Sequence, residues 1–240
     1  MSSQIQFPKI IGHRGAKGCS PENTLASFKK AHELGAQWVE LDVKETQDGV
    51  LIIMHDDDLD RTSNYKGKVA QTPWSIIKTL DAGSWYSKQF SEEKIPSLQE
   101  AVQLFESLNL GVNLEIKPCP NRETSTSILV ADFIKNNWPK KLPPPLVSSF
   151  SMESLKIAKK QNPELIIGLL FENELPSNWK QIARELNASS INIDDKMANQ
   201  KTIEDILKEG YQVLVYTVNS KERAEELFKL GVSSIFTDMP

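Results

Sequence analysis

Hydrophobic and polar positions along the chain follow two different periods, and the two kinds of segment alternate almost from end to end. Short runs rich in β-branched residues predict buried strands, and longer segments with apolar residues three or four positions apart predict helices. The predicted strands are 9–12, 38–43, 112–116, 146–150, 165–170, 190–193, 212–218 and 234–237. The predicted helices between them are 23–34, 97–109, 125–137, 152–161, 179–186, 202–209 and 221–230. Asn23 is the expected N-cap of the first helix and Gly35 the glycine that ends it.

This alternation indicates a parallel sheet, because parallel neighbours need a crossover connection that is usually a helix. Eight such units are typical of a (β/α)₈ TIM barrel, with a doubly wound open sheet as the competing architecture. We therefore predict one barrel domain over residues 1–240. The last predicted strand reaches residue 237, so we expect the eighth helix to be missing or vestigial.

One connection, after the second strand, breaks the pattern. An extra apolar run at 50–54 is followed by the segment 57–96, in which Thr72 can cap and Pro73 can begin one short helix. Connections of this length are usually either functional or disordered. The segment is too aromatic for disorder, since it contains Trp74, Trp85, Tyr86 and Phe90. We expect an ordered capping insertion at the C-terminal ends of the strands, with several of these side chains buried.

Composition narrows the function classes. Apolar residues make up 39% and charged residues 25% of the chain, as in ordinary globular proteins, and the net charge of −4 argues against a nucleic-acid partner. The N-terminal residues 1–10 show no signal-peptide pattern, and no apolar run approaches the ~20 residues of a membrane span. We therefore expect a cytoplasmic protein with no stable membrane insertion, in which Cys19 and Cys119 are free thiols.

Two carboxylates in the second predicted strand are the first candidates for chemistry. Glu40 and Asp42 are two residues apart, so they point to the same face of the strand. Glu115, in the next barrel strand, brings a third carboxylate to the same end of the sheet. Three neighbouring carboxylates repel one another unless a cation neutralises them, and oxygen ligands favour Mg²⁺ or Ca²⁺. The alternative is that they form surface ion pairs.

Basic residues follow the same strand ends. His13 lies between two glycines beside Arg14, and His55 ends the extra apolar run, whereas His32 falls on a charged helix and is expected at the surface. Arg14 and Lys117 can bind phosphate oxygens. In a regular strand His13 and Arg14 would point to opposite faces, so both reach one site only if the chain has already left the sheet.

Five ordered motifs carry a resemblance to a known family. They are IIGHRG at 10–15, PENT at 21–24, ELD at 40–42, HD at 55–56 and LEIK at 114–117. Together they resemble the glycerophosphodiester phosphodiesterases, and fainter similarity continues to residues 237–238, so the resemblance covers nearly the whole chain. It implies a (β/α)₈ barrel with an insertion after the second strand, which matches the segment 57–96.

The resemblance also implies roles for the candidate residues. By resemblance, Glu40, Asp42 and Glu115 bind the metal, His13 and His55 act as general acid and base, and Arg14 and Lys117 hold the phosphate. Two positions depart from the family pattern. Tyr216 stands where the family often has Trp, and Asp194, with Asp195 beside it, stands at the end of the sixth strand where the family has His or other residues. Both are expected to face the alcohol part of the substrate.

The implied activity is metal-dependent hydrolysis of small-molecule glycerophosphodiesters to sn-glycerol 3-phosphate and an alcohol. The attacking group is water or the glycerol 2-hydroxyl, and the second route, through a cyclic phosphate, is favoured because no residue is evidently dedicated to positioning water. A lysophospholipase D or a cyclising phospholipase on the same scaffold is the alternative enzyme, with Trp74, Trp85 and Phe90 available for an apolar entrance. A barrel that only binds a phosphorylated metabolite is the alternative outside enzymes, and it would be expected to lack some of these groups.

Overall fold

A closed parallel barrel is the centre of the computed structural model, which describes residues 6–240. The strands are β1 (Ile10–Gly12), β2 (Trp38–Glu45), β3 (Leu51–Ile53), β4 (Gly111–Ile116), β5 (Leu146–Ser149), β6 (Ile166–Phe171), β7 (Ala188–Asp194), β8 (Gln212–Tyr216) and β9 (Ser234–Thr237). Eight are parallel, in the order β1, β9, β8, β7, β6, β5, β4, β2, and β1 also pairs with β2. This last pairing closes the sheet, so the predicted TIM barrel is confirmed and the open sheet is excluded.

The helices lie between these strands. They are α1 (Leu25–Glu33), α2 (Trp74–Ile77), α3 (Leu98–Leu108), α4 (Glu123–Asn137), α5 (Met152–Gln161), α6 (Trp179–Glu185), α7 (Gln200–Lys208) and α8 (Lys221–Lys229). Seven connect successive barrel strands, as predicted, and α2 belongs to the insertion. Within the described part of the chain no helix follows β9.

The caps of α1 and α2 differ from the prediction. Thr24, not Asn23, is the N-cap of α1, and its hydroxyl accepts a hydrogen bond from the backbone N–H of Ser27 at 3.2 Å. Asn23 lies outside the helix with a φ of +59°, which leaves its amide free for another partner. Helix α2 begins at Trp74, whose backbone N–H donates to Asp48 Oδ1 at 2.9 Å. Asp48, in the turn between β2 and β3, therefore has the capping role that was predicted for Thr72.

Apolar side chains fill both sides of the barrel wall. Every residue of β2 and β4 is buried, and outside the wall the ring centroids of Phe28 on α1 and Phe105 on α3 lie 5.0 Å apart in an edge-to-face contact. A separate buried cluster unites residues from five strands: Ile11, Trp38, Leu146, Leu214 and Phe236. Trp38 shares its strand face with Glu40 and Asp42. The cluster therefore forms an apolar layer inside the barrel, beneath those carboxylates.

The insertion 57–96 has an aliphatic core of its own. Its buried residues, which pack with Ile52, Met54 and Cys119 of the adjoining barrel, are Leu59, Val69, Ile77, Leu80, Ala82 and Ile95. The expectation that its aromatic side chains would be buried is wrong, since Trp74, Tyr86 and Phe90 are half-buried and Trp85 is 39% exposed. The hydroxyl of Tyr86 donates to the backbone carbonyl of Gly18 at 2.9 Å, which ties the insertion to the loop after β1.

Three smaller expectations concern thiols, membranes and the N-terminus. Cys19 and Cys119 are both free. No helix within residues 6–240 combines the length and the apolar composition that crossing a membrane requires. The prediction about a signal peptide depends partly on residues 1–5, which lie outside the described residues.

Candidate active site

Three carboxylates meet at the C-terminal ends of β2 and β4. The register pairs Asp42 with Glu115 and Glu40 with Asn113, so the two strands bring their acids to the same level of the barrel. One oxygen atom from each of Glu40, Asp42 and Glu115 lies within 4.8 Å of the other two, and all three side chains are buried. The predicted clustering of these three residues is thus present in the structure.

Burial and mutual repulsion set the protonation of this cluster. Burial raises the pKa of Glu40 well above its ordinary range, and the negative charge of Asp42 adds to this effect. Burial, together with Asp42, also raises the pKa of Glu115, to about 7. Burial acts in the same direction on Asp42, but the positive charges of Arg14 and Lys117 outweigh it and keep the pKa of Asp42 below its usual range. Added positive charge would favour the ionised form of all three carboxylates.

The donor set fits a hard divalent cation. Asp42 Oδ1 is buried and accepts no hydrogen bond within residues 6–240, with only the ammonium of Lys117 nearby at 3.4 Å. Its other oxygen, Oδ2, accepts from Asn23 Nδ2 at 2.8 Å. A buried carboxylate oxygen without a hydrogen-bond donor, beside two carboxylates of raised pKa, is what a site for an oxygen-seeking cation provides.

The chain leaves the sheet directly after β1, and this turn delivers two basic side chains to one cavity. Arg14 has a φ of +48° and Gly15 one of +85°. A Cβ atom on Gly15 would lie 2.5 Å from Ser27 Oγ, so the turn requires glycine there. Because the strand has ended at Gly12, His13 and Arg14 both line the cavity instead of pointing to opposite faces of the sheet.

The two histidines are held in the same way. His13 Nδ1 lies 2.7 Å from Asp238 Oδ1, and His55 Nδ1 lies 2.6 Å from Asp56 Oδ1. Because a carboxylate oxygen can only accept, each ring carries a proton on Nδ1 and donates it in this hydrogen bond, which leaves Nε2 for another partner. His13 Nε2 is 4.0 Å from Glu40 Oε2. Burial lowers the pKa of both histidines, so a neutral imidazole is favoured at neutral pH.

Arg14 and Lys117 supply positive charge beside the carboxylates. Arg14 donates its backbone N–H to Glu40 Oε2 at 2.9 Å and its Nη1 to Glu22 Oε1 at 2.7 Å. Its Nε lies 3.3 Å from Asp42 Oδ2 in an ion pair, although it forms no hydrogen bond within residues 6–240. Lys117 Nζ donates to Glu115 Oε1 at 3.1 Å. Both side chains line the cavity, so an anion bound there would meet two cations.

The cavity has a volume of about 240 Å³ and a mixed lining. Besides the histidines, the cations, Glu40 and Glu115, it is lined by Asn113, Phe150, Leu170, Glu172, Tyr216, Thr217 and Phe236. Phe150 and Tyr216 are in edge-to-face contact, with ring centroids 5.9 Å apart. This mixture of aromatic and polar groups can accommodate the organic part of a phosphorylated ligand.

Of the two residues expected on the alcohol side, only Tyr216 lines this cavity. Asp194 does not, because β7 ends there and Asp194 Oδ1 accepts the backbone N–H of Lys196 at 2.7 Å, capping the short 3₁₀ helix Asp195–Met197. Glu172, directly after β6, is a lining carboxylate that the sequence analysis did not single out. The insertion 57–96 likewise contributes no lining residue, so Trp74, Trp85 and Phe90 do not form an apolar entrance to it.

Several residues that support the site were given no role in it by the sequence analysis. They are Glu22, which holds Arg14, Asn23, which holds Asp42, Asp56, which holds His55, and Asp238, which holds His13. Each falls in a short motif that the sequence does show, namely PENT, the His-Asp pair and the Thr-Asp at 237–238. The motifs marked these positions, but their partners became visible only in the folded chain.

Comparison with known proteins shows which family has a similar sequence. The sequence profile of the Glycerophosphoryl diester phosphodiesterase family matches residues 13–240. A glycerophosphodiester phosphodiesterase from Caldanaerobacter subterraneus subsp. tengcongensis is 37% identical over 235 residues, which are 96% of this chain and 94% of the relative.

Solved structures agree with the sequence comparisons. An Oleispira antarctica phosphodiesterase in complex with its product sn-glycerol-3-phosphate is 38% identical, with a TM-score of 0.93 over 97% of this chain and 94% of that chain. A glycerophosphodiester phosphodiesterase from Agrobacterium tumefaciens is 30% identical, with a TM-score of 0.82 over 98% of this chain and 97% of that chain. The similarity therefore covers the whole barrel.

Proposed function

Because this chain belongs to the glycerophosphoryl diester phosphodiesterase family, we propose that it hydrolyses glycerophosphodiesters to sn-glycerol 3-phosphate and an alcohol. The proposal includes a divalent cation, Mg²⁺ or Ca²⁺, and acid–base catalysis by two histidines. The observation that carries it is the cavity in which three clustered carboxylates meet two carboxylate-held imidazoles. The structural relative from Oleispira antarctica, which binds sn-glycerol-3-phosphate, supports the choice of product.

Glu40, Asp42 and Glu115 would hold the cation. When bound, such a cation supplies positive charge that stabilises the phosphoryl oxygens as negative charge develops on them. The chain's own cations act on the same group: Arg14 and Lys117 bind non-bridging phosphate oxygens and fix the orientation of the diester.

The two histidines move the protons. One imidazole takes the proton of the attacking hydroxyl through Nε2, and the other, as imidazolium, gives a proton to the departing alkoxide. Asp238 and Asp56 keep the Nδ1 proton in place on His13 and His55, so Nε2 stays available, and they stabilise the positive charge that each ring acquires.

The attacking hydroxyl belongs either to water or to the glycerol 2-position. The glycerol 2-hydroxyl is tethered to the phosphorus, and such intramolecular attack can have effective molarities of ~10⁵ M or more. Its attack forms a cyclic 1,2-phosphate and expels the alcohol, and water then opens the ring while the histidines exchange roles. A 2-deoxy analogue separates the routes: the cyclic route predicts almost no turnover of it, and hydrolysis as fast as that of the parent diester would refute this route.

The polarity of the surroundings favours a small substrate over a lysophospholipid. The neighbouring cavity that shares His55 and Lys117 is lined by charged residues of the insertion, among them Asp58 and Arg61, and offers no apolar entrance for an acyl chain. A barrel that only binds a metabolite is also disfavoured, because both histidines, all three carboxylates and both cations are present around the cavity.

The test is release of sn-glycerol 3-phosphate from glycerophosphocholine, glycerophosphoethanolamine and glycerophosphoglycerol. We expect turnover that stops after exhaustive chelation and returns when Mg²⁺ or Ca²⁺ is added. The matched control is Asp195→Asn, since Asp195 binds Arg223 outside the cavity and its loss should leave turnover unchanged. Absence of product with every diester and both cations would overturn the proposal, and full activity after chelation would overturn its metal dependence.

A further inference from the structure

Arg61, at the start of the insertion, bridges two of the carboxylates that support the site. Its Nε donates to Asp56 Oδ2 at 2.6 Å and its Nη2 to Asp56 Oδ1 at 3.0 Å. The same Nη2 also donates to Glu22 Oε1 at 2.8 Å, and Nη1 donates to Glu22 Oε2 at 2.9 Å. All three guanidinium nitrogens are therefore engaged, in four hydrogen bonds to two carboxylates.

One branch of this bridge leads to Arg14. Glu22 has a side chain only 3% exposed, and its Oε1 accepts hydrogen bonds from both Arg61 Nη2 and Arg14 Nη1. A buried carboxylate is stable only when its lone pairs are satisfied, so Arg61 fixes where Glu22 lies and, through it, where Arg14 lies. The second oxygen of Glu22 is bound by Arg61 as well, which prevents the carboxylate from rotating.

The other branch leads to His55. Asp56 Oδ1 accepts from His55 Nδ1 and also from Arg61 Nη2, while Oδ2 accepts from Arg61 Nε. The fork of the guanidinium thereby fixes the plane of the Asp56 carboxylate, and that plane determines the direction in which the imidazole points.

From this geometry we propose that Arg61 is a positioning residue, which holds the phosphate-binding Arg14 and the proton-transferring His55 in a fixed relation to each other. The inference builds on the proposed function, because the roles of Arg14 and His55 come from it. A planar guanidinium has a rigid arrangement of donors, whereas a lysine ammonium is a single point that cannot bind two carboxylates through two forks. Displacement of catalytic groups by about 1 Å can cost ~10²-fold in rate, so the relation matters although Arg61 lies outside the cavity that His13 and Arg14 line.

Arg61→Ala and Arg61→Lys, with Arg184→Ala as the matched control, test the proposal. Arg184 forms an ion pair with Glu209 on the surface and is 67% exposed, so its removal should change nothing. For Arg61→Ala we expect kcat/KM for glycerophosphocholine to fall about 10- to 100-fold, with kcat lowered and KM raised. Arg61→Lys should recover little of this loss although it keeps the charge, and millimolar guanidinium should partly restore Arg61→Ala but not alter Arg184→Ala.

Asp56→Asn separates the two branches. The single variant Asp56→Asn should lower kcat with little effect on KM. The double variant Asp56→Asn/Arg61→Ala should have a higher KM than Asp56→Asn. Its kcat should fall by less than the product of the two single losses, because Asp56→Asn has already broken the branch to His55. Isothermal titration with sn-glycerol 3-phosphate gives a readout independent of turnover, in which Arg61→Ala should weaken binding about tenfold through the branch to Arg14.

The outcomes distinguish the two proposals. A wild-type protein that binds sn-glycerol 3-phosphate but releases none from any diester would refute the proposed function, and titration of Arg61→Ala would still test the branch to Arg14. If the wild-type protein is active and Arg61→Lys has kcat and KM within twofold of the wild-type values, the positioning role is overturned. The positioning role would also be overturned if the losses in kcat of Arg61→Ala and Asp56→Asn were additive. A large fall in the melting temperature of Arg61→Ala without rescue by guanidinium would overturn it as well, because this result indicates a structural role alone.

Discussion

The hydrogen bond between His13 and Asp238 allows the effect of one substitution to be worked out atom by atom. Asp238 Oδ1 lies 2.7 Å from His13 Nδ1, and its Oδ2 accepts from Asn219 Nδ2 at 2.9 Å. The orientation of Asn219 is fixed, because its Oδ1 accepts from the backbone N–H of Asp238 at 2.9 Å and from the hydroxyl of Thr237 at 3.1 Å. In Asp238→Asn, the new amide must therefore turn its oxygen to Asn219 and its NH₂ group to His13.

An NH₂ group facing Nδ1 favours the wrong tautomer of His13, with the proton on Nε2. Turning the amide over restores the right tautomer but places its NH₂ group against that of Asn219, which leaves two donors without an acceptor, each costing about 1–1.5 kcal/mol. The total of about 2–3 kcal/mol corresponds to a loss of about 30- to 150-fold in kcat, at about 1.4 kcal/mol per factor of ten. The same change in a serine-protease triad costs ~10⁴-fold. We expect a smaller loss here, because the side chain of Asp238 is 20% exposed and water can replace part of the contact.

The measurement is kcat and KM for release of sn-glycerol 3-phosphate, together with the melting temperature. Asp238→Asn should lower kcat with little change in KM, since the substitution alters a proton position and removes no substrate contact. Adding Asn219→Asp should recover about tenfold in kcat, because a carboxylate at 219 accepts the new NH₂ group and turns the new carbonyl oxygen towards His13. A single variant with kcat within threefold of wild type, or a double variant no faster than the single one, would refute the tautomer argument.

Other substitutions test the metal site and the insertion. Asn23→Ala removes the 2.8 Å hydrogen bond to Asp42 Oδ2 and should raise the Mg²⁺ concentration needed for half-maximal activity about 10- to 100-fold; an unchanged requirement would contradict the support role of Asn23. Because burial raises the pKa of Glu115 from 4.5 to about 7, the metal-free folded protein binds more protons than the unfolded chain in this interval. Its melting temperature should therefore fall more steeply from about pH 4.5 to about 7 than that of Glu115→Gln, and equal slopes would be the contrary result. Gly83→Ala would place a Cβ atom 1.9 Å from the Phe90 carbonyl oxygen, so it should lower the melting temperature by several degrees, and an unchanged value would show that the insertion tolerates the shift.

Local features of the sequence were sufficient for the barrel and for the metal-ligand candidates. Strand and helix periods depend on residues a few positions apart, so the alternation of elements can be read directly, and eight βα units close into a barrel. Side chains two residues apart in a strand point to the same face, so Glu40 and Asp42 could be placed together from the sequence. Glu115 could be added to them because neighbouring parallel strands end at the same edge of the sheet. The family resemblance, which depends on ordered motifs, was equally accessible and is confirmed by the match over residues 13–240.

The backbone conformation of single residues was harder to predict from the sequence. Asn23 has the residue type of an N-cap, but its φ of +59° takes it out of the helix and turns its amide towards Asp42. Asp194 has the position of a site residue at a strand end, but the chain turns into a 3₁₀ helix at once and its carboxylate caps that helix. A preference for caps or strand ends does not determine which nearby donor a short polar side chain finally binds.

The partners of the catalytic candidates were decided by the tertiary structure alone. His13 and Asp238 are 225 residues apart, and they meet only because β1 pairs with β9 when the barrel closes. Glu22 and Arg61 are 39 residues apart and meet because the insertion folds back against the loop after β1. The sequence thus determined which chemical groups the strand ends carry, since this depends on local periodicity. Barrel closure and loop packing determined which groups hold them in place, since contacts between distant residues leave no periodic signal in the chain.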